Sequence, residues 1–103
     1  MAHDFPRIAE ETRQRLLPAL APGSFAPQHN WDHLGQLVES MEARGCYLMT
    51  NSAATPNLRR MASFHRSTAR GFPCVGTSEW GSFATHGEAV LLAAHAALFE
   101  PRA

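Results

Sequence analysis

The segment from Thr85 to Phe99 constrains this chain more than any other. Thr85-His86-Gly87-Glu88 matches a capping box, in which the Thr85 hydroxyl takes one orphan amide and Glu88 reaches back to another. The run that follows, Ala89 to Phe99, is rich in Ala and Leu and offers almost no solvating face. A helix that is apolar nearly all round must be covered on most sides. Its alanines also let the axis approach a sheet or another chain closely. The expectation is a central, buried helix, or one that a second copy of the chain helps to cover.

The rest of the chain supplies partners for that helix. At 103 residues it is a single domain, 1–103, with room for one layer of helices on one small sheet. Asp4 caps a first helix, with Pro6 tolerated in its first turn. Ile8, Thr12 and Leu16 form its packing face, while Glu10, Glu11, Arg13 and Arg15 are expected to stay wet. Pro18 ends it, and Ala21 to His29, with Pro22, Gly23 and Pro27, reads as a loop. Asn30 caps a second helix, in which Leu34, Leu37, Val38 and Met41 have amphipathic spacing. Gly45 terminates that helix.

Cys46 to Asn51 then reads as a strand, Ser52 to Asn57 as a turn-rich connection and Arg60 to Arg66 as a second strand. Ala62 and Phe64 are expected to face the helices, with Met61, Ser63 and His65 outward. Phe72 to Val75 reads as an edge strand limited by Pro73, and Gly76 to Ala84 as a loop. The predicted fold class is therefore α+β, with helices packed on a small antiparallel sheet in the order α-α-β-β-(β)-α.

Charge and composition narrow the function classes. Nine acids balance nine basic residues, and all nine are arginine. No global field steers the chain to nucleic acid or membrane, and the longest apolar run is too short to span a bilayer. The polar start of the chain does not read as a secretory signal. With two cysteines, Cys46 and Cys74, the expectation is free thiols in a cytoplasmic protein.

Trp31-Asp32 opening a helix, Leu37-Val38-Glu39, and Met41-Glu42-Ala43-Arg44-Gly45 form one suggestive block. Ala84-Thr85 followed by Ala89-Val90, then Leu92-Ala93-Ala94 and Leu98, forms a second. In this order, across residues 31–99, the chain resembles small phage and prophage accessory proteins of the phage ABA-sandwich type. That resemblance implies a phage-encoded accessory protein acting in the host cytoplasm. It carries over no catalytic residue.

The chemistry-bearing residues leave three classes of function open. Between Thr50 and Ser78 lie Arg59, Arg60, Arg66 and Arg70 and no acid. An arginine-rich hairpin of this kind suits phosphates or an acidic protein patch. Phe64 is the only Phe, Tyr or Trp between Arg59 and Arg70, so the stacking platform of a single-strand binder is not evident. Trp80 reads either as an interface anchor beside the hairpin or as a lid on the core, together with Phe83.

The leading reading is a non-enzymatic binding protein with a protein partner. Its sharp form is a host-defence antagonist of the anti-CRISPR kind, whose contact residues are Arg59, Arg60, Arg66, Arg70 and Trp80. Charge reversal at Arg59 and Arg60 should then abolish binding without unfolding. The second class is a small metal-dependent or nucleic-acid-processing enzyme using His65, Cys74 and His86, with Cys46, His65 and Cys74 as conceivable ligands. Neither Cys-x-x-Cys nor His-Glu-x-x-His spacing is present, and His29 and His33 straddle the Asn30 cap, so no metal or other cofactor is expected. The third class is direct nucleic-acid binding, and homodimerisation through the last helix is compatible with all three.

Overall fold

The computed structural model describes residues 3–54 and 57–101. Of the turn expected over Ser52–Asn57, Ser52 and Ala53 instead continue the preceding strand, and 55 and 56 lie outside the described residues. Three helices and three strands follow in the order α1 (Phe5–Leu16), α2 (Trp31–Ala43), β1 (Cys46–Ala53), β2 (Arg59–Arg66), β3 (Cys74–Thr77) and α3 (His86–Phe99). The strands form an antiparallel sheet in the order β1-β2-β3. This is the α+β arrangement expected from the sequence.

Each helix begins where a capping side chain places it. The Asp4 carboxylate accepts from Arg7 N, Asn30 Oδ1 from the amides of Asp32 and His33, and Thr85 Oγ1 from Glu88 N. Glu88 reaches back to the amide of Ala84, at 3.1 Å, one residue beyond the usual partner of a capping box. The Thr85 hydroxyl also donates to the carbonyl of Gln28, at 2.9 Å, which ties the start of α3 to the loop before α2. Gly45, at φ +80°, occupies the left-handed position that turns α2 into β1.

The last helix is the axis of the molecule. Its buried residues include Ala89, Val90, Leu91, Ala93 and Ala94. It packs on β2 and β3 and also touches β1, while α1 and α2 lie against it as well. The chain's own sheet and helices thus bury the first half of α3, while residues 95–98 stay half-buried and Phe99 is exposed. The approach to the sheet is closest at β3, where a Cβ added to Gly76 would fall 2.4 Å from Ala97 N and 2.7 Å from Ala93 O.

That contact explains where the strand expectation missed. The third strand is Cys74–Thr77 rather than Phe72–Val75. Gly76, read from sequence as the start of a loop, pairs with Phe64, and Thr77 with Ser63. A glycine in a strand interior marks a close backbone approach. A bulge between Phe64 and His65 shifts the register so that His65 faces Cys74, while Val75 remains in the core. Phe64 and Ala62 face α3 and are fully buried.

The wet face expected for α1 is wrong at Arg13, which is 5% exposed. Its guanidinium holds both Glu10 oxygens, at 2.9 and 2.8 Å, and donates to the Leu20 carbonyl at 2.6 Å. Gly23 N donates to Glu10 Oε1 at 3.0 Å. The pair therefore fastens the loop after α1. The Arg13 hydrogen bonds, followed by the Gly23 amide, hold the Glu10 carboxyl down from its ordinary 4.5 to about 2.

Two stability outcomes follow from this packing. Gly76→Ala must move backbone atoms rather than a flexible side chain, so it should destabilise the fold by about 1–3 kcal/mol. Gly35→Ala is its control: a Cβ there meets nothing within 4 Å, and in a helix interior it should stabilise by about 0.5–1 kcal/mol. Thermal melts of both variants check the contrast, and equal melting temperatures would refute it. For Glu10 the folded-state pKa is lowered, so its contribution is complete above pH 4.5 and is lost as pH falls through about 2. Acid titration of Glu10→Gln should show a flatter fall in stability across that window than the parent protein.

Candidate functional site

All three helices gather on one side of the sheet, because α1 and α2 both pack on α3 and α2 also meets β1. Side chains alternate along a strand, and the register therefore fixes two sets. Cys46, Leu48 and Thr50 on β1 pair with Arg66, Phe64 and Ala62 on the helix side. Tyr47, Met49, Asn51 and Ala53 pair with His65, Ser63, Met61 and Arg59 on the other side. Among the described elements none covers that second face. Tyr47 is 47% exposed and Met49 54%.

This alternation separates residues that sequence alone groups together. Arg59 belongs to the open face, at the start of β2, where its Nη2 donates to the Trp80 carbonyl at 3.1 Å. Its neighbour Arg60 points to the helix side, and its Nη1 donates to the Phe83 carbonyl at 2.6 Å. Arg60 also forms an antiparallel bridge with Gly81. These contacts bring Arg59, Arg60 and Trp80 together.

Arg66 stands at the far end of β2, about 23 Å from Arg59 at the usual strand rise. It lies on the rim, donating to the Arg44 carbonyl at 3.3 Å and to Cys46 Sγ at 3.5 Å. Arg70 is exposed in the loop between β2 and β3. The four arginines thus border the sheet at both ends rather than forming one cluster. Among the described residues no carboxylate forms an ion pair with any of them.

Trp80 is 43% exposed. Glu79 sits in the left-handed region, at φ 57°, and turns the chain there so that Gly81 returns to Arg60. Trp80 lines an open hollow with His3, Phe5, Phe83 and Glu88. It therefore borders both this hollow and the Arg59 end of the sheet.

The residues of the enzyme reading are not gathered into one site. Cys46 is buried on the helix side, whereas His65 and Cys74 belong to the opposite face, so Cys46, His65 and Cys74 do not converge. Among the described residues no group of three or more His, Cys, Asp or Glu is placed to hold a metal ion. The Cys74 thiol donates to the Gly76 carbonyl, and His86 Nε2 lies 3.4 Å from Ser52 Oγ.

His65 is held at both nitrogens. Its Nδ1 lies 2.9 Å from the Phe72 carbonyl and its Nε2 2.8 Å from Ser63 Oγ. A carbonyl only accepts, so Nδ1 carries a proton, and in that tautomer of the neutral ring Nε2 accepts from the Ser63 hydroxyl. That is the polarity of a nucleophile–base pair, yet Ser63 is 6% exposed in the central strand, closed to a macromolecular substrate. What the His65 bonds do is bind Phe72 to β2.

That tie reveals a feature the sequence hid. Tyr47 on β1, His65 on β2 and the Phe72 segment leading into β3 lie side by side across one end of the open face. Phe72 is 67% exposed. Phe64, the aromatic that the sequence places among the arginines, belongs instead to the core. Strand register is what brings Tyr47 to this face, and the only advance signal was the apolar-polar alternation of β2.

Charge is segregated in the same sense. Residues 43–78 hold five of the nine arginines and none of the nine acids. Eight of the acids lie on the helices or at their caps, and Glu79 follows β3. A chain of zero formal net charge therefore presents a basic sheet layer backed by acidic helices.

Neighbouring arginines should behave differently on truncation. Arg60→Ala removes a charged hydrogen bond to a loop carbonyl and should cost about 1.5–3 kcal/mol. Arg59→Ala, at an exposed position, should stay within about 0.5 kcal/mol of the parent. Urea unfolding distinguishes them, and a loss at Arg59 matching that at Arg60 would refute the assignment of faces. No protein-family model, curated protein or solved structure matches the chain.

Proposed function

We propose that this chain is a non-enzymatic accessory binding protein whose open sheet face occupies an anionic surface on another macromolecule. The observation that carries this reading is the coincidence of the uncovered face with the acid-free, arginine-bearing layer. The exposed side chains there, Tyr47, Met49, Phe72 and Arg59, are of the types enriched in interface cores. Arginine without lysine favours planar, bidentate recognition of carboxylates and phosphates.

The sharper form of the reading, a phage-derived antagonist of a host defence complex, is supported by the resemblance over residues 31–99. An antagonist of that kind needs a stable scaffold and a charged surface, both of which this fold provides.

The test is capture from host lysate by tagged protein, with and without nuclease, comparing the parent with Arg59→Glu/Arg70→Glu. Those two positions are exposed, whereas Arg60 is unsuitable for charge reversal because its guanidinium holds the Phe83 carbonyl. The double variant should melt like the parent yet retain about tenfold less partner, equivalent to ~1.4 kcal/mol. Equal retention by a folded double variant would remove the open face from consideration.

A further inference from the structure

We propose that the occupant of the open face is an extended, single-stranded nucleic acid, with bases stacked on Tyr47 and Phe72 and phosphates held by Arg59 and Arg70. This rests on the reading of that face as the binding surface and adds the chemical class of the partner.

Three features point to unpaired bases rather than to a duplex or an acidic protein. The first is the ring arrangement. Tyr47 and Phe72 flank His65 across the strands, and the His65 bond to the Phe72 carbonyl, at 2.9 Å, fixes that spacing. Among the described residues neither Tyr47 nor Phe72 is in a ring–ring or cation–π contact. Both rings are therefore available to stack, and base stacking on aromatic side chains is sequence-tolerant because every base has a π face.

The second feature is shape. The platform consists of pleated strands, and the three helices all lie on its other side, so no helix is presented to a duplex groove. Stacked rings can be used only by bases already splayed from a helix.

The third is the charge track. Arg59 stands at one end of β2 and Arg70 in the loop beyond the other, ring-bearing end, while Arg66 turns to the helix side. The length of β2 that Arg59 and Arg70 bracket, about 23 Å, is of the order of four nucleotides, the lower end of single-strand site sizes. The acids belong to the helices and to the segment after β3, so this layer opposes a phosphate chain with no like charge of its own. Zero net charge hides this in the sequence, because the field that matters is local.

DNA and RNA offer the same phosphates and bases, so the probes are labelled oligothymidylate and oligouridylate of about 12 nucleotides, read by fluorescence anisotropy with the full chain. Saturable binding to at least one of them should weaken with salt, the logarithm of affinity falling with slope about −1.4 for two phosphate contacts on a single strand. Preference between the two probes separates an RNA from a DNA ligand. Tyr47→Ala/Phe72→Ala should weaken binding at least tenfold with the salt slope unchanged. Tyr47→Phe/Phe72→Tyr should restore it, which a merely misfolded platform could not show. Arg59→Gln/Arg70→Gln should instead reduce the slope by about 1.4.

Absence of saturable binding to both strands at low salt would overturn the proposal, as would affinity indifferent to the two rings or equal affinity for duplex. Capture of a polyglutamate probe by the parent protein but not by Arg59→Glu/Arg70→Glu, with neither oligonucleotide bound, would also overturn it while leaving the open face as the binding surface. If that double variant keeps every probe the parent binds, both readings fall.

Discussion

The approach of α3 to the sheet at Gly76 is the constraint on which the rest of the structure depends. A side chain there would collide with the backbone of α3 at Ala93 and Ala97, so the helix lies as close to β3 as backbone allows. The alanines of α3 serve the same closeness from the other side. Once α3 is seated, its remaining apolar surface demands cover, and α1 and α2 supply it. The helices consequently crowd one side of the sheet. The bare opposite face is a consequence of how a strongly apolar helix is housed in a chain of this length, and it is the surface to which the proposed function assigns a partner.

Charge follows the same division. The carboxylates serve the helix layer: Asp4 and Glu88 at caps, Glu10 clamping Arg13, Glu11 reaching His95 at 2.9 Å. None is left within residues 43–78 to neutralise the arginines. A neutral protein so arranged carries a dipole across its layers, and a dipole orients an approaching anionic surface even when net charge steers nothing.

Much of this architecture was legible in the sequence because its signals are local. Asp4, Asn30, Thr85 and Gly45 act within one turn of where they stand, and the helix starts they predict are those observed. The non-local features were not legible. Arg13 carries the pattern of an exposed helix residue, and only the loop folding back to Leu20 and Gly23 buries it. Gly76 reads as loop until the helix that requires it is in place. Tyr47 and Phe72 are 25 positions apart, and no spacing rule joins them without knowledge of which strands pair and in what register. The arginine cluster misled for a related reason: proximity in sequence along a strand alternates faces and spreads residues over the strand's length.

The pair Arg59 and Arg60 makes that last point physical. One peptide unit separates them, their charges are equal, and they stand on opposite sides of a sheet. Arg60 donates inward to the Phe83 carbonyl and has a buried Nε with no partner among the described residues, so its charge is partly consumed in holding the loop that carries Trp80. Arg59 bonds the same loop through one amino group at Trp80, leaving the rest of its donor fork directed at whatever meets the open face. The loop is thus gripped from both faces of β2 at once. The single bond from Arg59 to the Trp80 carbonyl therefore sets the exposed indole and the platform arginine side by side at one corner of the open face.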